Sequence, residues 1–262
     1  MDTTDQNVMP AIFVGHGSPM NALDDNRYTR AWTDVATSFR RPRAIVAVSA
    51  HWYIGATAIT AMDRPKTIHD FYGFPPELFA VEYPAPGSAA VAGEVIDALA
   101  GFWVGRDVDS WGIDHGTWSV LVHMYPEADV PVLQLSIDAT KDAEYHVTLG
   151  RALESLRHRG ILVMGSGNIV HNLGLLDWSQ PEMGFDWAHD FNEAAHEVLT
   201  TDPGDVVRLG QHAAFRRAVP TSEHLLPSFY IAGMASAAGK PLERLVDGYA
   251  FGSLSMDSYV LR

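Results

Sequence analysis

A single α/β domain, built on a central mixed, largely parallel sheet flanked by helices, is the fold class the sequence predicts. Three observations predict it. Short apolar runs alternate with longer segments of helical period along the whole chain. The 262 residues, 47% hydrophobic and 19% charged, are enough to bury one large core. No internal repeat, low-complexity run or linker interrupts them. The expected domain is 1–262, with residues 1–9 as a flexible N-terminus.

The elements follow in order. "AIFVG" reads as a first strand, followed by a helix over Tyr28 to Phe39 and by the apolar strand "AIVAVSAHW". Polar-apolar alternation makes "ATAITAM" another strand. From Asp63 to Ser88 the prolines, glycines and aromatics predict an ordered covering loop, with the character of a lid. A small-residue helix from Ser88 to Ala100 follows, then "FWVG" as a strand, a short helix beginning near Asp114, and the strand "VPVLQLSI". Leu149, Leu153 and Leu156 place an apolar stripe on a helix over Ala143 to Arg157, which leads into the strand "GILVMGSGN". Trp187, Phe191, Ala195 and Val198 mark a further amphipathic helix, "PSFYIAGMASA" another, and "GSLSMDSYVL" a final strand.

Composition excludes several function classes. A formal charge of −14 repels duplex nucleic acid and anionic membranes, so the expected partner is a small molecule. The absence of cysteine removes disulfides, thiolate metal sites and a cysteine nucleophile. With no signal-like N-terminus and no run approaching about 20 apolar residues, a cytoplasmic protein is expected. "GHGSPMNAL" lacks the lysine of a phosphate loop, "GSGNIVHN" is only a partial glycine fingerprint, and no G-x-S-x-G elbow occurs. Ser18 is read as a turn or capping group.

The twelve histidines are then the candidates for chemistry. His146, His158, His189 and His196 lie off the apolar stripes of helices and are expected on solvated faces, and His123 and His212 have no distinctive surroundings. His16, His51 and His171 each follow a strand. Ligands of open α/β sheets bind outside the carboxyl ends of strands, so these three are expected to converge. His115 begins a helix with Asp114 as its N-cap, where the helix dipole keeps the ring neutral. The Glu223–His224 pair offers a carboxylate or an imidazole, and His69 offers a ring from the covering loop. Trp52, Tyr53, Phe71 and Tyr72 line an aromatic pocket or simply pack. Neutral imidazoles with one carboxylate suit zinc, which polarises water or a carbonyl, and iron(II), which binds oxygen and substrate together; spacing does not choose between them.

"GHGSPMNAL", "SAHW", "TIHDFYGFP", "YPAPGS", "WGIDHGTWSVL", "PVLQLSID", "GSGNIVHNL", "TSEHLLP" and "GSLSM" stand in order from about His16 to Met256. Together they resemble the DOPA 4,5-dioxygenase branch of the class III extradiol ring-cleavage dioxygenases. The resemblance implies one mononuclear metal site in a single α/β domain. It makes His16, His51, His171 and His224 metal residues, and His115 and His171 catalytic ones. His171 is a ligand in zinc-bound members and a base in iron-dependent relatives, while Glu223 stands for the carboxylate of the iron enzymes. One divalent metal per chain is expected, zinc as the ion found and iron(II) as the redox metal. The expected reaction opens a catechol beside its diol with oxygen, with Asp114 or Asn172 orienting the imidazoles. A zinc hydrolase on the same cluster and a non-catalytic binding protein are the alternatives.

Overall fold

The structure, a computed structural model, describes residues 8–262. Its strands are β1 (Ala11–Gly15), β2 (Ala44–Ile54), β3 (Ala58–Thr60), β4 (Lys66–Thr67), β5 (Gly105–Asp107), β6 (Gly112–Ile113), β7 (Val132–Asp138), β8 (Ile161–Gly167), β9 (Glu243–Val246), β10 (Tyr249–Ala250), β11 (Leu254–Ser255) and β12 (Ser258–Leu261). The helices are α1 (Arg27–Thr37), α2 (Pro76–Phe79), α3 (Ala89–Ala98), α4 (His115–Met124), α5 (Ala143–Leu153), α6 (Asp186–Thr201), α7 (Phe215–Ala218) and α8 (Leu226–Ala238). The N-terminal expectation falls, for residues 1–7, outside the described residues. Met9 is buried and exchanges hydrogen bonds with Arg157.

Eight strands form one sheet in the order β5-β3-β7-β2-β8-β1-β12-β9. The centre, β7-β2-β8-β1, is parallel throughout. The antiparallel pairs β3–β7, β1–β12 and β12–β9 make the sheet mixed. Central parallel strands are covered on both faces, which is why "AIFVG" and "AIVAVS" are apolar without interruption. Alternation then sorts their side chains: Phe13, Val46 and Val48 enter a core with α3, α5, α6 and α8, while Ile12, Val14, Ile45 and Ala47 enter a second core with α1 and α4.

Side-chain capping explains four of the helix starts. Asn26 closes a capping box on α1, and Ser88, Asp114 and Asp142 each accept an amide of the first turn of their helices. Ser18 does the same for a 3-10 turn at Pro19–Ala22, as expected. The helix expected over Ala143 to Arg157 changes at Glu154 to a 3-10 turn closed by Gly160 in the left-handed region. "FWVG" is not the strand: pairing begins at Gly105, and Trp103 is exposed. The tail is split into β11 and β12.

His146 corrects a second expectation. Instead of facing solvent it is fully buried in α5, with Nδ1 2.9 Å from the Tyr230 hydroxyl of α8 and Nε2 without a partner. Its neighbour helix covers the side that the Leu stripe leaves open. Burial pushes its pKa down to about 4, from about 6.5 in the unfolded chain. Above the unfolded value both states are neutral; as pH falls below it, the unfolded chain takes up a proton that the folded one refuses, and stability is lost. Between about pH 7.5 and 5 this group removes about 2 kcal/mol. His146→Gln is expected to lose that much less over the same interval in urea denaturation; an equal loss in both proteins would refute the assignment.

His196 is likewise half-buried, with Nδ1 3.3 Å from the Tyr259 hydroxyl, whereas His158 and His189 are exposed as expected. Among the described residues, no helix is long and apolar enough to cross a membrane.

Candidate metal centre and active site

The parallel centre of the sheet sets the site. β1, β8 and β2 are neighbours, so the segments leaving their carboxyl ends emerge side by side. His16 follows β1 directly, and its amide bonds to the Gly167 carbonyl at the end of β8. Gly17, at φ +61°, then turns the chain away beneath the Met256 side chain. His51 lies inside β2 and not beyond it. Pairing of β2 with β8 stops at Ser49, and its register on β7 shifts between Val48 and Tyr53, so the ring sits at an irregularity of the strand.

His115 opens α4. His171 follows β8, where its amide bonds to the Ala218 carbonyl and its backbone bridges to Leu254. His224 lies just before α8, its carbonyl accepting the Asn168 amide beyond β8. The structure thus brings all five candidates together. Ring centroids of His16, His51 and His224 are 5.1, 5.2 and 5.5 Å apart, a nearly equilateral triangle. His115 lies 3.9 Å from His51, and His171 stacks on His224 at 3.5 Å and 4°. His16, His51 and His115 offer ligand atoms within 4.8 Å of one another, as do His171, Glu223 and His224.

Hydrogen bonds set the ring orientations. The Ser166 hydroxyl donates to the Gly116 carbonyl, so it can only accept from His16 Nδ1, 2.9 Å away. His16 therefore carries its proton on Nδ1 and presents the Nε2 lone pair. Nδ1 of His224 faces Glu223 Oε1 at 3.2 Å, with the same consequence. Nδ1 of His51 and of His115 both face Asp70, at 3.0 and 2.8 Å.

Electrostatics keep most of these rings neutral. Burial, reinforced by the neighbouring imidazoles, holds His16 and His224 well below the usual range, and burial brings His171 down to about 4. Burial also lowers His115, with His51 adding to it against the pull of Asp70. His51 differs: burial is outweighed by its hydrogen bond to Asp70 and by the charges of Asp114 and Glu223, and its value rises. Burial opposes the charge of Asp70, yet the hydrogen bonds from His115 and His51 hold its carboxyl far below the ordinary range.

The donor set fits a metal ion. Nε2 of His16 and Nε2 of His51 face each other at 3.2 Å. Two lone pairs in that position repel unless a cation lies between them. With metal–nitrogen bonds of about 2.0–2.1 Å, adjacent imidazole ligands stand about 3.0–3.4 Å apart. That spacing fits two ligands of one ion, as it also fits an N–H···N hydrogen bond between the rings.

Several expectations need correction. Asp114 makes no hydrogen bond to an imidazole; it caps α4 and accepts from Ser49 Oγ and Gln134 Nε2, both at 2.7 Å. Asn172 bonds to Gly174 and to the Arg217 carbonyl. His69 packs among Phe71, Phe79 and Trp118 and bonds to the Val81 carbonyl. The four aromatics do not converge either. Phe71 meets His115 edge-on at 5.4 Å, Trp52 stacks on Trp111, Tyr53 reaches Ser222, and Tyr72 is 92% exposed. Ser166 and Asp70 are the residues sequence reasoning missed. Asp70 adjoins the His69 that drew attention, and only a rule of seeking carboxylates beside loop histidines would have found it. Ser166 is placed by the register Val14↔Ser166, which no local pattern encodes.

Residues 10–260 match the family described as the catalytic LigB subunit of aromatic ring-opening dioxygenase. The 4,5-DOPA dioxygenase extradiol of Escherichia coli K12 is 46% identical over 252 residues, 95% of this chain and 93% of that protein. The protein of the same name from Beta vulgaris is 33% identical, over 98% of this chain and 97% of its own length. A crystal structure of an uncharacterized protein from Escherichia coli K12 superposes with a TM-score of 0.84 at 42% identity, covering 97% of this chain and all of that one.

Proposed function

The chain belongs to the family of catalytic LigB subunits of aromatic ring-opening dioxygenases, and from that premise we propose that it opens a catechol such as DOPA beside the diol, at one divalent metal held by His16, His51 and His224. The pair of facing Nε2 atoms carries the assignment of His16 and His51, and the triangle of ring centroids supports His224 as the third ligand. A metal binds in the plane of an imidazole, along its lone pair. The parallel rings of His171 and His224 therefore cannot both aim at one ion unless one of them turns. His224 completes the triangle, and His171 takes the role of base.

A divalent ion held by these residues would supply Lewis acidity toward a bound catechol, and iron(II) would add the redox change that zinc lacks. Zinc binds nitrogen donors more tightly than iron(II) does, so zinc is the ion expected after purification and iron(II) the working metal. The chain's own groups do the rest. His171, neutral at physiological pH, offers its lone pair to a catechol hydroxyl proton, and Glu223 balances the imidazolium that results. His115 presents Nε2 as a hydrogen-bonding group, since its Nδ1 is engaged by Asp70. Phe71 walls the His115 side with an apolar ring that limits water.

His171→Gln is expected to lower kcat by about 10²–10⁴ with KM and metal content little changed. Loss of the metal together with the rate would return His171 to the ligands. The test of the reaction itself is anaerobic reconstitution with iron(II), addition of a catechol panel including DOPA, and admission of air while oxygen uptake and visible absorbance are recorded. Stoichiometric uptake with a new visible absorbance from the ring-opened product is expected. No uptake across the panel would overturn the reading and leave a zinc hydrolase or a non-catalytic binding protein.

A further inference from the structure

Asp70 faces two of the clustered imidazoles at hydrogen-bond distance. Its Oδ2 lies 3.0 Å from Nδ1 of His51, and its Oδ1 lies 2.8 Å from Nδ1 of His115. Oδ1 also accepts the His115 backbone amide at 3.1 Å, at the start of α4. An ionised carboxylate is acceptor-only, so each ring must turn a protonated Nδ1 toward it. In its neutral form each ring then presents an unprotonated Nε2.

The residue is itself held firmly. It belongs to the covering segment, not to the sheet, and the segment is fastened on both sides of it. Lys66 and Thr67 of β4 pair with Gly112 and Ile113 of β6. The Ile68 amide bonds to the Ile113 carbonyl, and the Trp118 indole donates to the Ile68 carbonyl at 2.8 Å. On the other side, the ring of Phe71 packs against Trp118 of α4 at 6.1 Å. The part of the cover that carries Asp70 is thus tied to β6 and α4.

We propose that Asp70 is a positioning residue that selects the Nδ1–H tautomer of His51 and His115 at once, so that one carboxylate aims the Nε2 of a metal ligand and the Nε2 of a substrate-binding imidazole. The proposal rests on the assignment of His51 as a ligand. It gives the sequence between two prolines, 65 to 75, a chemical purpose: the cover is the element that orients the site. An amide cannot replace the carboxylate, because in Asp70→Asn the NH₂ group must face one of the two Nδ1 atoms. That ring is driven to the Nε2–H tautomer, which removes its lone pair from the site.

The test reads tautomers in the metal-free protein by nitrogen-15 NMR of the imidazoles at mildly alkaline pH, then titrates zinc against a competing chelator. In the wild type both His51 and His115 are expected to carry the proton on Nδ1. In Asp70→Asn one of them is expected to switch, and zinc affinity to fall about 10- to 100-fold. An Nε2–H proton on either ring of the wild type would overturn the proposal, and so would wild-type zinc affinity in the variant. The wild-type measurement stands even if the variant fails to fold. Neither readout uses a catechol or oxygen, so a failure of the dioxygenase reading is seen separately, as absent oxygen uptake with the tautomers unchanged.

Discussion

His16→Ala is expected to leave a folded protein that no longer retains a metal ion and turns over catechols at least about a thousandfold more slowly, a loss of about 4 kcal/mol of transition-state stabilisation. The reason is the position of the ring. It is almost fully buried, its Nδ1 is tied to Ser166, and its Nε2 stands 3.2 Å from that of His51. Alanine removes one corner of the triangle and leaves His51 and His224 as a pair, too few for tight binding. Metal analysis after dialysis reads the first effect and initial rates the second. Thermal melting with added zinc gives a third: wild type should gain about 2.7 kcal/mol of apparent stability at a hundredfold excess over the dissociation constant, the variant nothing. Unchanged tight metal content would mean that the ion sits elsewhere.

Gly116→Ala should nearly silence the enzyme without touching any group that meets the substrate. A Cβ at this position would lie 2.7 Å from Cδ2 of His51, 2.9 Å from Ser49 Oγ and 3.2 Å from Cε1 of His16. Two of the three contacts are the ligand rings themselves. The side chains can retreat only by leaving Asp70 and Ser166, which orient them, or by moving α4. Overpacking of this kind costs about 1–3 kcal/mol of stability. A displacement of about 1 Å at the reacting centre costs about a hundredfold in rate. The expected signature is a kcat at least about a hundredfold lower, with a melting temperature reduced by only a few degrees. Wild-type activity would show that the rings have room to spare. The sequence motif "DHGT" thus carries a steric requirement besides its histidine.

Much of the fold was legible because it is written in local patterns. Apolar runs marked β1, β2, β7 and β8, and cap residues marked the starts of α3 and α4 to within a residue. Errors arose where a local pattern had two solutions. "FWVG" satisfies strand propensity, yet Gly105 is where pairing with Thr57 and Ala58 begins. His146 sits off the Leu stripe of α5, yet α8 covers that side too. Helical period tells which residues share a face, and not how many neighbours a helix has.

The same division holds at the site. The sequence by itself pointed to histidine for the chemistry, because no cysteine is present and no phosphate or serine motif is complete, and it placed His16 and His171 after strands of a parallel sheet and His51 at the outer end of one. Only the tertiary structure decided that β1, β8 and β2 are adjacent, which brings His16, His51 and His171 to one place. It alone stacked His171 on His224, set Ser166 behind His16 through the β1–β8 register, and carried Asp70 across from the covering segment to hold two rings. The physical reason is range. Period, caps and turns act over a few residues and can be read along the chain, whereas strand order, ring orientation and protonation arise from contacts between segments up to more than a hundred residues apart, which exist only once the core has closed.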